Sequence, residues 1–318
     1  MKLDELLRAG GFSAAEIRQV HEGALVKVVA ESTCDRELAV KFAFLVKAPP
    51  SSLKENFMTT TKTQEKDPSV LQSGLIETGT LEDFATLSLG PYGDSMAKEY
   101  MAAAPGSTFN LSKKEIEGWQ ALKKKGGSDV TSVESHLRQL LFDRYLGYRE
   151  SGLDGIFPYS RSGGKEYDSG LELRQKTELA EFMKREAPTF HKNLLEYPHA
   201  KPEGLDESYS WVNYKIDEKP TLVLIHRMGL QDGDVYVFCE RHFYVSRSHN
   251  SLQGIGGTFP VEDGNTGMCY LQRTSTDQVS GFGSSTKRSI GARMMASKVA
   301  DNFERARALF EEKSKHGN

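Results

Sequence analysis

The sequence predicts an α+β fold: a curved antiparallel sheet closed by a long C-terminal helix, with a mainly helical insertion. Three observations predict it. From Tyr209 onward, strand-like runs follow one another through tight turns. A glycine-rich loop near Gly281 then opens into one long amphipathic helix. Near the N-terminus a pair of strand-like runs leads into a short helix, and a helical block at 110–200 separates this pair from the later strands.

The strands rest on alternation and turn chemistry. Tyr209–Ile216 is β-rich and ends at the turn-like Asp217-Glu218-Lys219-Pro220, and Thr221–Met228 follows, apolar until its end. Gln231-Asp232-Gly233-Asp234 contains an Asp-Gly pair, a strong hairpin signal because glycine accepts positive φ without steric cost. In Val235–Ser246, strict alternation puts Val235, Val237, Cys239, Arg241, Phe243 and Val245 on one face. Tyr236, Phe238, Glu240, His242, Tyr244 and Ser246 take the other. That second face is aromatic with embedded polar groups, a composition suited to a pocket wall. Gly267–Thr274 is the last strand, preceded by the turn Glu262–Asn265.

In the terminal helix Ile290, Met294, Val299, Phe303, Ala306 and Phe310 recur at steps of three to five residues, which predicts a stripe facing the sheet. Such a stripe is ordinary core packing, although methionine also re-packs readily around ligands.

At the N-terminus, Ser13-Ala14-Ala15-Glu16 is a capping box with Phe12 and Ile17 placed as its staple. Ala24–Ala30 and Glu37–Val46 read as strands, and Ser51 or Ser52 caps a helix starting near Leu53. Thr59–Asp67 is polar and loop-like, and Phe84–Leu89 reads as a short strand. A second capping box at Ser112-Lys113-Lys114-Glu115 opens the helical block, which continues through Val133–Tyr145, Leu171–Met183 and Thr189–Leu195.

Composition narrows the function classes. The chain has 318 residues, 41 Lys plus Arg against 44 Asp plus Glu, and a formal net charge of −3. That balance argues against a general nucleic-acid binder, which needs a basic surface to meet phosphates. No apolar run approaches the roughly 20 residues of a membrane span. Cys34, Cys239 and Cys269 have no metal-ligand spacing, the histidines show no zinc spacing, and no metal or cofactor is expected. Met1–Arg8 is amphipathic and acid-containing, unlike a secretory signal, which reads as cytoplasmic, or as periplasmic for a chain stripped of its leader.

The early strand pair with Lys47-Ala48-Pro49-Pro50, and the block from Tyr209 to Phe310 with Gly291-Ala292-Arg293-Met294-Met295, together resemble the START-like, helix-grip superfamily. Tyr244–Leu252 is similar to a run in uncharacterised bacterial proteins. The resemblance covers about half the chain and is a pattern of elements, with no catalytic motif. It implies a single START-like domain over 1–318, the block at 110–200 being an insertion or lid. It also implies a cavity between sheet and terminal helix for a hydrophobic, lipid-like molecule. Superfamily members include carriers, sensors and cyclases, so the fold alone does not choose among them.

The candidate ligand-binding residues are Trp211, His226, Tyr236, Phe238, Glu240, His242, Tyr244, Arg273, Met294 and Phe303. The alternative is a cyclase- or hydrolase-like enzyme with Glu240 and His242 as acid and base: two residues apart on a strand, they share a face, and a carboxylate fixes an imidazole's tautomer. The same pair also reads as a structural polar contact. Gly281-Phe282-Gly283-Ser284-Ser285-Thr286-Lys287 looks superficially like a phosphate loop but lacks the glycine before lysine and the βαβ context. Trp119, Leu140, Phe142, Tyr145 and Tyr148 could form a partner surface or simply pack the helical block onto the sheet.

Overall fold

In the computed structural model, residues 3–50, 54, 57–58, 67–106, 108–261, 264–281 and 283–315 are described. The expected caps Ser51 and Ser52, the helix start at Leu53, most of the 59–67 loop, the turn at Glu262 and Asp263, and Phe282 lie outside them, as does the side chain of Phe310. The fold is α+β, with one large curved antiparallel sheet, a long C-terminal helix and a helical insertion.

Eight strands form the sheet: β1 (Val26–Val29), β2 (Glu37–Val46), β3 (Val70–Leu75), β6 (Asp206–Ile216), β7 (Lys219–Asp232), β8 (Val235–Val245), β9 (Ser251–Pro260) and β10 (Thr266–Ser275). Two residue pairs, β4 (Tyr159–Ser160) and β5 (Glu166–Tyr167), make a separate small ladder. The order in the large sheet is β1-β2-β10-β9-β8-β7-β6-β3. The last strand therefore lies beside the early β2, and β6 to β10 run as a meander between β2 and β3.

Three departures from the sequence reading have local causes. Ser251–Pro260 is a strand, although Gly254, Gly256, Gly257 and Pro260 disguise it, because glycine and proline ordinarily mark breaks. Phe84–Leu89 is no strand: Leu81–Phe84 is a 3₁₀ turn that Asp83 fixes by accepting from the Thr78, Gly79 and Thr80 amides. The run Leu171–Met183 breaks at Ala180 into α6 (Ser169–Glu178) and α7 (Glu181–Glu186).

The elements occupy three layers. One face of the sheet, here the front, carries α9 (Ser284–Lys315) against β1, β2 and β10. Ala292, Ala296 and Ala300 are its buried stripe, so the backbone approaches the sheet closely. The back face carries α1 (Leu3–Ala9) and α2 (Ala14–His21) at the β1–β2 end. Across β6 to β9 the back carries the block of α3 (Gly93–Met101), α4 (Lys113–Lys124), α5 (Val130–Ser151), α6, α7 and α8 (Pro188–Glu196). The block thus covers the face opposite α9, a second outer layer and not a lid over the space between sheet and α9. Both capping boxes are present: Ser13 with Glu16 opens α2, and Ser112 with Glu115 opens α4. Glu115 also receives the buried Arg144 of α5 at 2.6 Å, so one carboxylate caps one helix and ties down another.

The aromatic residues of the block are packing groups. Trp119 stacks on Tyr100 at 4.6 Å, and Tyr148 stacks on Phe243 of β8 at 4.1 Å, all four of them buried. Beneath the block, Arg241 of β8 is fully buried and donates from Nε to Gln253, from Nη1 to the Tyr148 hydroxyl and from Nη2 to the Leu194 carbonyl, at 2.9, 3.2 and 2.9 Å.

Candidate functional site

Alternation along β8 sends Tyr236, Phe238, Glu240 and His242 to the front. Tyr236 and Phe238 join an aromatic row: Phe57 lies 4.4 Å from Phe238, Phe238 6.2 Å from Tyr270 of β10, and Tyr270 5.1 Å from Phe303 of α9. The row crosses β9 only because that strand has no side chains there. A Cβ at Gly254 would stand 1.8 Å from the Tyr270 hydroxyl, and one at Gly256 2.5 Å from the Phe238 ring. The glycines missed as strand residues are thus what lets the rings lie against the backbone.

Further along the same face the chemistry turns polar. The β7–β8 hairpin pairs Arg227 with Glu240, and the guanidinium meets the carboxylate at 2.7 Å. His242 Nε2 lies 3.1 Å from the other Glu240 oxygen. A carboxylate can only accept, so Nε2 carries the hydrogen and Nδ1 presents its lone pair when the ring is neutral. Burial pushes the Glu240 carboxyl upward, but Arg227 and the His242 hydrogen bond outweigh it and hold it down at about 2. Glu240 is therefore a carboxylate at neutral pH, able to orient His242 but holding no proton to donate.

The surroundings complete the cluster. Tyr270 donates to Gln272 at 3.3 Å, and Gln272 to Thr274 at 3.4 Å. The His249 ring lies 5.8 Å from that of His242, with its Nδ1 2.9 Å from the Ser248 hydroxyl, and burial pushes it down to about 3. Among the described residues, Arg227 Nε, His242 Nδ1 and His249 Nε2 are buried with no hydrogen-bond partner. An unpartnered buried polar atom costs roughly 1–3 kcal/mol of desolvation, so three together mark the place where a polar group is wanted.

The structure separates the sequence-derived candidates. Tyr236, Phe238, Glu240, His242 and Phe303 share the front face, and the other five do not. Tyr244 is turned to the back because a β-bulge at Phe243 lies between the pairs Leu224–Tyr244 and Ile225–His242, shifting the alternation by one residue. There it packs over Arg144 at 4.1 Å. Trp211 and His226 face the back as well: the indole donates to the Asp83 carbonyl, and His226 Nδ1 lies 2.9 Å from the Tyr148 hydroxyl. Arg273 alternates to the back and pairs with the buried Glu37 at 2.7 Å. Met294 is 69% exposed, because the helix turns its alanine stripe, and not the Ile290–Met294 line, toward the sheet.

Arg227, Tyr270 and Gln272 were absent from the candidates. Arg227 had a signal: five residues back from Asp232 and five forward from Val235, across the Gly233-Asp234 turn, lie Arg227 and Glu240. Tyr270 and Gln272 needed the β9–β10 register, which depended on recognising β9.

Among the described residues no group of three or more His, Cys, Asp or Glu side chains is arranged to hold a metal ion. No described helix is long and apolar enough to cross a membrane. No family model, curated protein or solved structure matches the chain.

Proposed function

We propose that the protein binds or carries a hydrophobic, lipid-like small molecule between the front of the sheet and α9. The observation that carries this reading is the Arg227–Glu240–His242 cluster on an otherwise aromatic face, with three unpartnered polar atoms in and beside it. Aromatic rings would bury the ligand body, and Arg227 Nε together with the two imidazoles would orient one polar head. Likeness to the START-like superfamily is supported by the strand order, in which β2 and β3 are the two outer partners of the β6–β10 meander and α9 follows the last strand.

The test is native mass spectrometry of the purified chain, followed by titration with a fluorescent fatty acid. A co-purifying ligand, or saturable binding weakened at least tenfold in the Arg227→Met, Glu240→Leu double variant, is expected. A chain that arrives empty and binds no probe would sink the proposal.

A second reading keeps the same pocket but makes it catalytic. It rests on His242, whose Nε2 is held by a carboxylate while Nδ1 has no partner among the described residues, the arrangement of an oriented general base. Hydrolysis of a p-nitrophenyl ester panel that disappears in His242→Gln would favour it. Turnover unchanged in that variant would eliminate it.

A further inference from the structure

The run Tyr244–Leu252, which the lipid-binding reading uses only through His249, helps to build a cavity of its own. It opens at the end of the sheet where β8 passes into β9, has a volume of about 350 Å³, and takes Arg247, Ser248 and Asn250 from this run. Three cationic side chains line it, Arg161, Lys219 and Arg247, against two carboxylates, Asp217 and Asp277. We propose that this cavity is a binding site for a small oxyanion, a phosphate or carboxylate group, separate from the aromatic face.

Its cations are built in and incompletely neutralised. Arg161 is held by three acceptors, Asn110 Oδ1 at 2.8 Å, Asn250 Oδ1 at 3.0 Å and Asp277 at 3.2 Å. Asp277 is shared with Arg36 at 3.6 Å, so one carboxylate serves two guanidiniums. Arg247 is 5% exposed; its Nη2 meets Glu99 at 2.8 Å, and its flat face lies 4.2 Å over Phe109. Stacking occupies the face of a guanidinium and leaves its rim, where Nε and Nη1 are buried without partners among the described residues. Asn250, 3% exposed, likewise keeps Nδ2 unpartnered. Lys219 is 52% exposed at the rim, its amine only loosely paired with Glu99 at 3.8 Å.

The backbone serves the same end. Ser248 has φ +74°, a conformation that non-glycine residues rarely adopt and that surrounding bonds must hold. Asn110 supplies two, donating from Nδ2 to the Val245 and His249 carbonyls at 2.9 Å each, while Thr276 donates to the Ser248 carbonyl at 2.9 Å. Three bonds from two residues thus fix the loop, and its donors are placed before any ligand arrives. An oxyanion accepts from several N–H groups at once, and guanidiniums suit it by geometry as well as charge.

The test titrates the full chain with inorganic phosphate and, separately, with succinate, by calorimetry at constant ionic strength set with sodium chloride. Saturable heat with one or both is expected, the responsive anion identifying the source of the oxygens. Lys219→Glu, at an exposed position, should weaken binding at least tenfold while keeping the near-ultraviolet circular dichroism of the parent. Arg247→Met should do the same, and if it does not fold, the Lys219 variant decides alone. No saturable heat with either anion, or a Lys219→Glu variant that binds as the parent does, overturns the proposal.

Discussion

Arg227 and Arg241 sit on adjacent interior strands of the sheet, β7 and β8, yet face opposite sides of it, and the two arginines are treated differently. At the back, Arg241 has neutral partners on all three nitrogens, supplied by β9, α5 and the end of α8. At the front, Arg227 has one carboxylate, Glu240, and an Nε with no acceptor among the described residues. A buried charge whose bonds are completed by several elements fastens those elements together. A buried charge left partly unmet is suited to a guest. Unpartnered atoms are not confined to the front, since His226 Nε2 and Glu207 Oε2 stand 3.8 Å apart at the back without a hydrogen bond. The contrast lies in what surrounds them: at the back Tyr209 stacks on His226 at 4.2 Å and helices close over both.

Acid should act on both faces and give the largest effect. Burial pushes His226 down to about 4 and His249 down to about 3, from an ordinary value near 6.5. Between pH 6.5 and those values the unfolded chain binds protons that the folded chain refuses, so stability falls as pH falls. Each histidine contributes up to roughly 1.4 kcal/mol per pH unit. Urea unfolding at pH 6.5, 5.5 and 4.5 should show this slope, and His226→Gln or His249→Gln should each remove part of it. A lipid-like ligand should flatten the His249 share and leave that of His226; equal flattening of both would erase the distinction between the faces.

Next in size is Arg241→Ala. It removes three buried hydrogen bonds, to Gln253, Tyr148 and the Leu194 carbonyl, and opens a cavity beneath the block, so it should cost about 3 kcal/mol or more in urea unfolding. A loss under 1 kcal/mol would mean that the back network does not fasten the block. Gly254→Val tests the close approach of the Tyr270 ring and should cost roughly 1–3 kcal/mol, since a Cβ there has no room. Thermal melting would read it, and an unchanged midpoint would show the rings free to move aside. The smallest stability effect belongs to the front pair. Arg227→Met with Glu240→Leu removes both charges together and should change stability by only about 1 kcal/mol in either direction. The same variant should lose fatty-acid binding, so a large stability loss would make this pair a fastener like Arg241.

Much of the fold was legible in the sequence because alternation, capping and hairpin residues are local. Glu37–Val46 and the two capping boxes appear as read, and the long terminal helix follows its glycine-rich loop. Periodicity also revealed helices at 110–200, but an amphipathic stripe does not say which side of a sheet it will cover, and the block went to the back. The site was half legible. Glu240 and His242 share a strand and so share a face, whereas Arg227 and Gln272 reach them only through register, which is a property of pairs of strands. Ala292, Ala296 and Ala300 were overlooked because large apolar residues dominate a periodicity reading, while close packing of a helix on a sheet favours small ones.

The bulge at Phe243 does more than misdirect Tyr244. By adding one residue to β8 it resets the phase of everything downstream before the chain turns into β9. Val245 returns to the front with Val212, Val223 and Ile225, and Arg247 is delivered to the rim where Glu99 and Phe109 receive it. The bulge is therefore a mechanical joint between the two proposed pockets: His242 lies just before it and Arg247 just after. Removing that one residue would rotate the second pocket's loop relative to the first pocket's imidazole, so the two sites are geared to each other by a single extra residue.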